Sequence, residues 1–178
     1  ALSLKNNHFH HQIGATYYAS HMISAAVDQL DFVVLSALEI DTDFNVNVHT
    51  DSYGRIMGGS GGHSDASAGS KLSIITAPLF RGRLPIVLDH VNCISTPGCD
   101  IDVLVTQAGV AVNPKNEELR LRLKDAGIHV VDIHELKELA EKITGTPAPL
   151  PPAGRTIAKV MRRDGGILDT IGLRKEEA

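Results

Sequence analysis

The chain has 178 residues, of which 43% are apolar and 21% are charged, and its formal net charge is -4. This length suits about one to one and a half ordinary domains, and the composition is that of a globular protein. The negative charge offers no electrostatic footprint for nucleic acid or an anionic membrane, and no apolar run approaches the roughly 20 residues of a membrane-spanning helix.

The N-terminus lacks the basic-then-apolar design of a signal peptide, so we expect a cytoplasmic protein. Because the chain begins with Ala1 and Leu2 rather than methionine, we expect it to be part of a longer polypeptide. Cys93 and Cys99 are the only cysteines, and their spacing fits neither a redox C-x-x-C motif nor a four-ligand zinc site. We therefore predict two free thiols.

The N-terminal part predicts a loop, a helix and a buried strand. Residues 1–14 are polar and show no periodicity. From Ala15 to Leu30 apolar positions recur every three or four residues, which predicts an amphipathic helix. The continuous apolar run Phe32–Ile40 predicts a strand buried on both faces of a sheet. Glu39 is the exception in this run, and it is either buried and paired or turned toward a cleft.

Further strands are predicted on both sides of a glycine-rich stretch. Residues 44–50 alternate apolar and polar side chains, as in a half-buried strand, and residues 51–54 supply a turn. Beyond the glycines, the apolar runs Leu72–Leu79 and Leu84–Leu88 predict two paired strands. The basic turn Arg81-Gly82-Arg83 separates them.

The next part of the chain alternates strands and helices. We predict a strand over Ile101–Thr106, a helix from Asn113 through Lys124, a strand over Ile128–Ile133 and a helix over His134–Ile143. Asn113 serves as the N-cap of the first helix, with proline at the first helical position. This alternation is typical of an α/β sheet.

The C-terminal part predicts a proline-rich strap followed by a β-hairpin. Residues 147–154 favour an extended polyproline conformation. Strands over Ile157–Arg163 and Ile167–Leu173 flank the turn Asp164-Gly165-Gly166 and predict a hairpin that packs on the domain or on a partner. We thus divide the chain into an α/β domain (1–146), a strap (147–154) and a hairpin (155–178).

The glycine-rich stretch is the strongest candidate site. Five glycines fall between Gly54 and Gly62, and such positions let backbone N–H groups approach a ligand closely. Neither a Walker loop nor a dinucleotide fingerprint fits, because Lys71 is too distant and no helix opens directly after a first strand. The sequence around Ser60 matches a G-x-S-x-G hydrolase elbow only in part. A flexible surface loop is the alternative.

Charged and histidine residues add weaker signals. Arg81 and Arg83, with Arg55 and Lys71, would suit a polycarboxylate ligand, because guanidinium groups bind carboxylates bidentately. For any one of them a solvated surface charge remains the alternative. The N-terminal histidines, His8, His10 and His11, have no second ligand cluster, so we expect no metal.

Several segments resemble the citrate lyase alpha-chain family of the CoA-transferase superfamily. Leu35–Asp41, Asp43–Val48 and Gly59–Asp65 carry the resemblance most specifically. The superfamily also shares a segment similar to residues 102–111, although many members have an acidic residue where this chain has Gln107. The match continues over Lys71–Ile75, Ala77–Leu79, Arg81–Arg83, Thr96–Gly98 and Val112–Pro114.

The resemblance implies a CoA-transferase-like α/β fold with a mixed, largely parallel sheet flanked by helices and a C-terminal β-hairpin. It implies a citrate CoA-transferase that exchanges acetyl for citryl on a CoA-like thioester of an acyl-carrier (gamma) subunit, before a lyase (beta) subunit cleaves the product. Further implied partners are the N-terminal half of the alpha chain and other copies in an oligomer. A CoA-transferase for another acid and a non-catalytic CoA- or carrier-binding module remain alternatives.

The resemblance also implies site residues. Backbone N–H groups at Gly61 and Gly62, with the side chain of Asn7, would stabilise an oxyanion. The chain would form one wall of a cleft, because the family has two similar halves. The residues expected to contact citrate or CoA are Glu39, Gly59, Ser60, His63, Asp65, Arg81 and Arg83.

Overall fold

The computed structural model describes residues 5–19 and 24–174. The α-helices that lie wholly within these residues are α1 (Ala15–Ala19), α2 (His63–Gly69), α3 (Glu117–Asp125) and α4 (Ile133–Thr144). The strands of this part of the chain are β1 (Val33–Ser36), β2 (Glu39–Asp41), β3 (Val46–Asn47), β4 (Ser73–Thr76), β5 (Phe80–Arg81), β6 (Leu84–Pro85), β7 (Val87–Leu88), β8 (Val103–Thr106), β9 (Gly109–Val112), β10 (Thr156–Met161) and β11 (Ile167–Gly172). None of the described helices combines the length and apolar character needed to cross a bilayer.

The largest sheet has the strand order β1-β4-β8-β9. Strands β1, β4 and β8 are parallel, and β9 runs antiparallel to β8. Ile75 in β4 and Leu104 in β8 are fully buried, and Leu136 of α4 belongs to the same core cluster. The mixed α/β architecture predicted from the sequence is therefore confirmed.

A second sheet, with the order β3-β2-β7, corrects the prediction of one long strand over residues 32–40. The chain leaves the first sheet after Ser36 and enters the second at Glu39. Phe32 and Val34 are 61% and 53% exposed, so this run is not buried on both faces. The reason is that only the face of β1 with Val33 and Leu35 packs against the core clusters, and the face with Val34 is left uncovered.

The predicted continuous helix over residues 15–30 is also wrong. Helix α1 ends at Ala19, and Ala26–Gln29 form a 3-10 turn. Ser24 has a φ of 55°, and Ala25 is extended with a ψ of 151°, so the backbone departs from helical geometry before this turn. Residues 20–23 of the predicted helix lie outside the described part.

The pairing predicted between the runs 72–79 and 84–88 is wrong for β4 and β7, and is limited to one hydrogen bond from the N–H of Ile86 to the carbonyl oxygen of Leu79. Strand β4 pairs with β1 and β8, and β7 pairs with β2. Pro78 follows β4 and cannot donate a ladder hydrogen bond, which favours a strand end at this point. The basic turn instead closes the two-residue hairpin β5–β6.

The strand predicted over residues 128–133 is reduced to a single β-bridge, which Val130 forms with Val110 of β9. The sequence analysis missed β9, which turns back from β8 and occupies the position beside it. Both predicted helices are confirmed, and Asn113 caps the first by accepting a hydrogen bond from the N–H of Lys115.

The C-terminal hairpin is confirmed as the antiparallel pair β10–β11. Val160 and Ile171 pack against Cys93, and the Asp169 carboxylate accepts a hydrogen bond of 2.7 Å from the N–H of Ile94. Burial, helped by the charge of Asp169, raises the pKa of the Cys93 thiol to about 12. The hairpin therefore docks on the α/β part. Cys93 and Cys99 are both free thiols.

Candidate active site

A closed turn leads into the glycine-rich stretch. Thr50 and Ile56 form a β-bridge across it. Inside the turn, the Asp51 carboxylate accepts hydrogen bonds from the N–H groups of Tyr53 and Arg55 at 3.0 and 2.8 Å. The glycines therefore begin from a defined position rather than from a freely moving linker.

The glycines themselves face open space. Apart from its own chain neighbours, a Cβ added at Gly58, Gly59 or Gly61 would meet no atom of the described residues within 4 Å. Gly61 has a φ of 56°, a conformation that other residues rarely adopt. At Gly62 the ring of Tyr18 approaches to 2.5 Å from the position of an added Cβ. A ligand can thus approach the backbone on the open side, and Tyr18 borders the end of the loop.

His63 anchors the end of this loop in the protein interior. Its Nε2 lies 2.9 Å from the carbonyl oxygen of Ser36, and its Nδ1 lies 2.8 Å from the Thr96 hydroxyl. Because a carbonyl oxygen only accepts, Nε2 carries the proton and Nδ1 accepts from the hydroxyl. Both ring nitrogens are engaged inside the protein, so His63 positions the start of α2 at the carboxyl end of β1.

Burial gives His63 a pH-dependent part in stability. Desolvation is the main cause that lowers its pKa below 6.5, the charge of His49 adds to this, and the bond to Ser36 opposes it. The unfolded chain therefore binds the proton more readily than the folded chain. The contribution of His63 to the free energy of unfolding is complete above pH 6.5 and is lost as the pH falls from 6.5 toward the folded-state pKa.

We expect the free energy of unfolding to decrease between pH 7.5 and 5.5, and the decrease to be shallower in His63→Gln. Urea unfolding at several pH values measures both slopes. Burial also lowers the pKa of His49, so part of the slope remains in the variant. The control His134→Gln changes an exposed histidine and should keep the original slope. Equal slopes for His63→Gln and the unmodified chain would contradict this account.

Arg81 reaches the same strand end as His63. Its Nη2 lies 3.4 Å from the carbonyl oxygen of Ala37, the residue that follows Ser36. A cavity of about 200 Å³ adjoins it and is also lined by Met57, directly before the glycines. Arg83 is exposed on the neighbouring turn. In open α/β sheets, ligands bind beyond the carboxyl ends of the strands, which is where these groups meet.

Asn7 and Asp65 were predicted for the site, but their observed interactions involve residues other than the glycines. The Asn7 side chain is exposed and accepts a hydrogen bond from the N–H of Phe9, within its own segment. Asp65 is two residues beyond His63, about 200° around the helix, and so lies on another face of α2. Burial raises the pKa of Asp65, and the charge of Arg163 opposes this rise.

Glu39 lies beneath the turn rather than at the glycines. It is 1% exposed, and its Oε2 accepts a hydrogen bond of 2.9 Å from the Asn47 side chain. The same Asn47 amide donates to the hydroxyl and the carbonyl oxygen of Thr50 at 2.9 and 3.0 Å. Glu39 is therefore buried and paired through one oxygen, and its direct contact with a substrate stays a prediction.

Sequence reasoning missed His49 and Ser95, which support the same region. Ser95 Oγ accepts a hydrogen bond from the N–H of Val48 and lies 2.5 Å from His49 Nδ1. The carbonyl oxygen of His49 accepts from the N–H of Met57 at 2.7 Å. The alternating pattern of residues 44–50 placed His49 on a strand, but no local signal indicated its partner 46 residues away.

The last two observations concern the contact made by Gln107 and the search for a metal-binding cluster. Gln107 Oε1 accepts a hydrogen bond of 2.9 Å from the N–H of Leu79, which ties two chain segments together next to the carboxyl ends of β4 and β8. Among residues 5–19 and 24–174, no group of three or more His, Cys, Asp or Glu side chains is arranged to hold a metal ion.

Comparison with known proteins assigns the chain to a family. The family model described as citrate lyase, alpha subunit, matches residues 1–173. The chain belongs to the citrate lyase alpha-subunit family. It is 51% identical over 177 residues to the citrate lyase alpha chain of Escherichia coli (strain K12), a match that covers 99% of this chain and 35% of that relative. The alpha chain of Klebsiella pneumoniae is 49% identical over 172 residues, with coverages of 96% and 34%.

A solved structure of this family agrees with the fold. The alpha subunit of citrate lyase from Streptococcus mutans, in complex with citrate, superposes with a TM-score of 0.94 at 43% identity. The superposition covers 98% of this chain and 35% of that one. The chain thus spans about a third of the length of the alpha subunits that it matches.

Proposed function

We propose that the chain is one part of a citrate CoA-transferase. In the reaction, a citrate carboxylate attacks the carbonyl carbon of an acetyl thioester, and the thiolate leaves as a mixed anhydride forms. The thiolate then attacks the citryl carbonyl of the anhydride, and acetate leaves. The net exchange converts an acetyl thioester and citrate into a citryl thioester and acetate.

One observation carries the proposal: His63, directly after the glycine loop, and the Arg81 guanidinium both contact carbonyl oxygens at the carboxyl end of β1. His63 ties the loop to Ser36, and Arg81 lies against Ala37. Backbone N–H groups beside open space suit a developing oxyanion, and a guanidinium suits a carboxylate. The reaction needs both, because each attack creates a tetrahedral oxyanion and because one substrate, citrate, is a polycarboxylate.

We propose roles for the other predicted residues on the same basis. The N–H groups of Gly61 and Gly62 stabilise the oxyanion. We assign the Asn7 amide as a further oxyanion donor on the family resemblance; Tyr18, eleven residues later, packs beside Gly62. The side chains and backbone that receive the carboxylates and the carrier arm are Gly59, Ser60, Arg81 and Arg83.

The fold and the assembly follow from the same proposal. We assign a CoA-transferase type of α/β fold, with residues 1–146 as the domain, 147–154 as the strap and 155–178 as the hairpin. The loop is exposed, whereas an anhydride must be protected from water. A second wall must therefore cover it, and we assign this part to the N-terminal half of a full-length alpha chain. The acyl-carrier subunit supplies the CoA-like thioester, and the lyase subunit consumes the citryl product.

The test uses the polypeptide that carries this chain at the full length of its relatives. We expect it to form citryl-CoA and acetate from acetyl-CoA and citrate, as measured by liquid chromatography and mass spectrometry. Absence of exchange with every tricarboxylate would refute the proposal. Exchange with acetate or 4-hydroxybutyrate but not citrate would assign a different acid. Tight thioester binding without any turnover would indicate a carrier-binding module.

A further inference from the structure

A second cavity lies under the proline-rich strap. Its volume is about 280 Å³, and Glu39 is one of its lining residues. Leu84 and Leu88 contribute apolar walls, and residues 146–150 of the strap cover another side. Neither the glycine loop nor Arg81 lines this cavity. It shares Ser52 and Leu84 with the cavity beside Arg81 and is therefore a neighbouring site with different remaining walls.

Glu39 presents an unpaired oxygen here. Its Oε2 is paired with Asn47, but its Oε1 is buried and has no hydrogen-bond partner among residues 5–19 and 24–174. A buried carboxylate oxygen without a donor is costly, because it has lost its hydration without replacement. A ligand in the cavity that donates an N–H to Oε1 would supply the missing bond.

The charged residues around the cavity indicate the charge of the ligand that it would bind. Of the residues that the structure describes, three acidic ones line it, Glu39, Asp89 and Glu141, and no lysine or arginine does. Lys137 bridges Asp89 and Glu141 at 3.0 and 3.3 Å, which leaves Glu39 without a basic partner. Like charges would therefore repel an anion from this space, and a cation is favoured.

The apolar walls of the cavity favour an organic cation. Leucine and proline side chains surround much of the space, which favours an organic body over a hydrated metal ion. We propose that this cavity binds a small organic ammonium ion, with an ammonium N–H donated to Glu39 Oε1 and the carbon chain packed against Leu84, Leu88 and the strap. The volume is just below the roughly 300 to 1,000 Å³ typical of small-molecule sites, so the ligand has only a few carbon atoms.

Calorimetry on the full-length polypeptide that carries this chain tests the proposal without reference to catalysis. The probe is n-butylammonium, compared with n-butanol, which has no charge, and butyltrimethylammonium, which has no N–H. We expect saturable binding of n-butylammonium and affinities lower by about tenfold or more for the other two, as for the loss of one charge-assisted hydrogen bond. Equal binding of n-butanol or of butyltrimethylammonium would overturn the proposal.

The substitution Glu39→Gln tests the assigned oxygen. Its amide can still accept from Asn47 and then places an NH₂ group where Oε1 stood, so n-butylammonium affinity should fall by about tenfold or more. The control Asp125→Asn makes the same charge change on an exposed residue and should leave the affinity unchanged. If circular dichroism shows Glu39→Gln unfolded, Ala148→Trp replaces it, since a larger strap side chain narrows the cavity. Unchanged affinity in the folded variant would overturn the proposal.

Discussion

The substitution Gly98→Ala is expected to lower the free energy of unfolding by more than about 4 kcal/mol. A Cβ at this position would overlap the carbonyl oxygen of Asp43 and lie 3.0 Å from the carbonyl carbons of Asp43 and Phe44. These are backbone atoms, so no side-chain rotation relieves the overlap. Phe44 is 1% exposed and belongs to the main core, so movement of its backbone disturbs packing as well.

Hydrogen bonds around Gly98 increase the expected loss. Its N–H donates to Asn45 Oδ1, and its carbonyl oxygen accepts from Asn113 Nδ2, both at 2.9 Å. Asn45 is in turn held by the Asp41 carboxylate, so displacement of Gly98 disturbs several buried polar groups together.

Urea unfolding measures the effect of Gly98→Ala. The control Gly58→Ala adds the same methyl group where no atom lies within 4 Å, and it should change the free energy of unfolding by less than about 0.5 kcal/mol. A loss below about 1 kcal/mol in Gly98→Ala would show that the segment around Asp43 moves more freely than the contacts indicate.

Gly61→Val is expected to reduce citryl exchange by about 100-fold in the full-length polypeptide, the loss typical for one oxyanion-hole donor. Gly61 has a φ of 56°, which a β-branched residue adopts only with strain. The backbone of the loop must then shift, and its N–H groups no longer point where the oxyanion forms. His63 should still hold α2, because its bonds to Ser36 and Thr96 are formed outside the loop.

A matched variant distinguishes the effect of backbone strain on stability from the loss of the oxyanion-binding site. Gly127 follows α3, has a φ of 76° and, like Gly61, would meet no atom within 4 Å of an added Cβ. Gly127→Val should therefore lose similar stability and retain the exchange rate. Initial rates of citryl-CoA formation, with thermal unfolding measured in parallel, compare the two variants. A normal rate in Gly61→Val, or an equal loss in Gly127→Val, would remove the loop from the mechanism.

Elements with strong local signals agree between sequence and structure. Asn113 caps the turn before α3, and Asp132 caps α4 by accepting from the N–H of His134. The hairpin turn contains Gly165 with a φ of 85°, as its glycines indicated. In each case the decisive contact joins residues within a few positions along the chain, so a local pattern is sufficient to predict it.

The candidate site was predictable only in part. The open glycine loop and its cationic neighbour Arg81 were found from residue types and from the family resemblance. The buried His63 was expected to contact a ligand, yet its ring joins Ser36 to Thr96. Both partners lie more than 25 residues away in sequence, at 27 and 33 positions. Periodicity carries no information about such partners.

The sequence by itself determined the family, the α/β class, the two longer helices, the terminal hairpin and the glycine loop, because these depend on residue type and short spacing. Only the tertiary structure decided that the run 32–40 divides between two sheets and that β9, not residues 128–133, pairs with β8. It also placed His63 and Arg81 at the end of β1 and left one Glu39 oxygen unpaired. The physical reason is that strand pairing and burial are set by contacts between distant segments, which compete for the same neighbours when the chain folds.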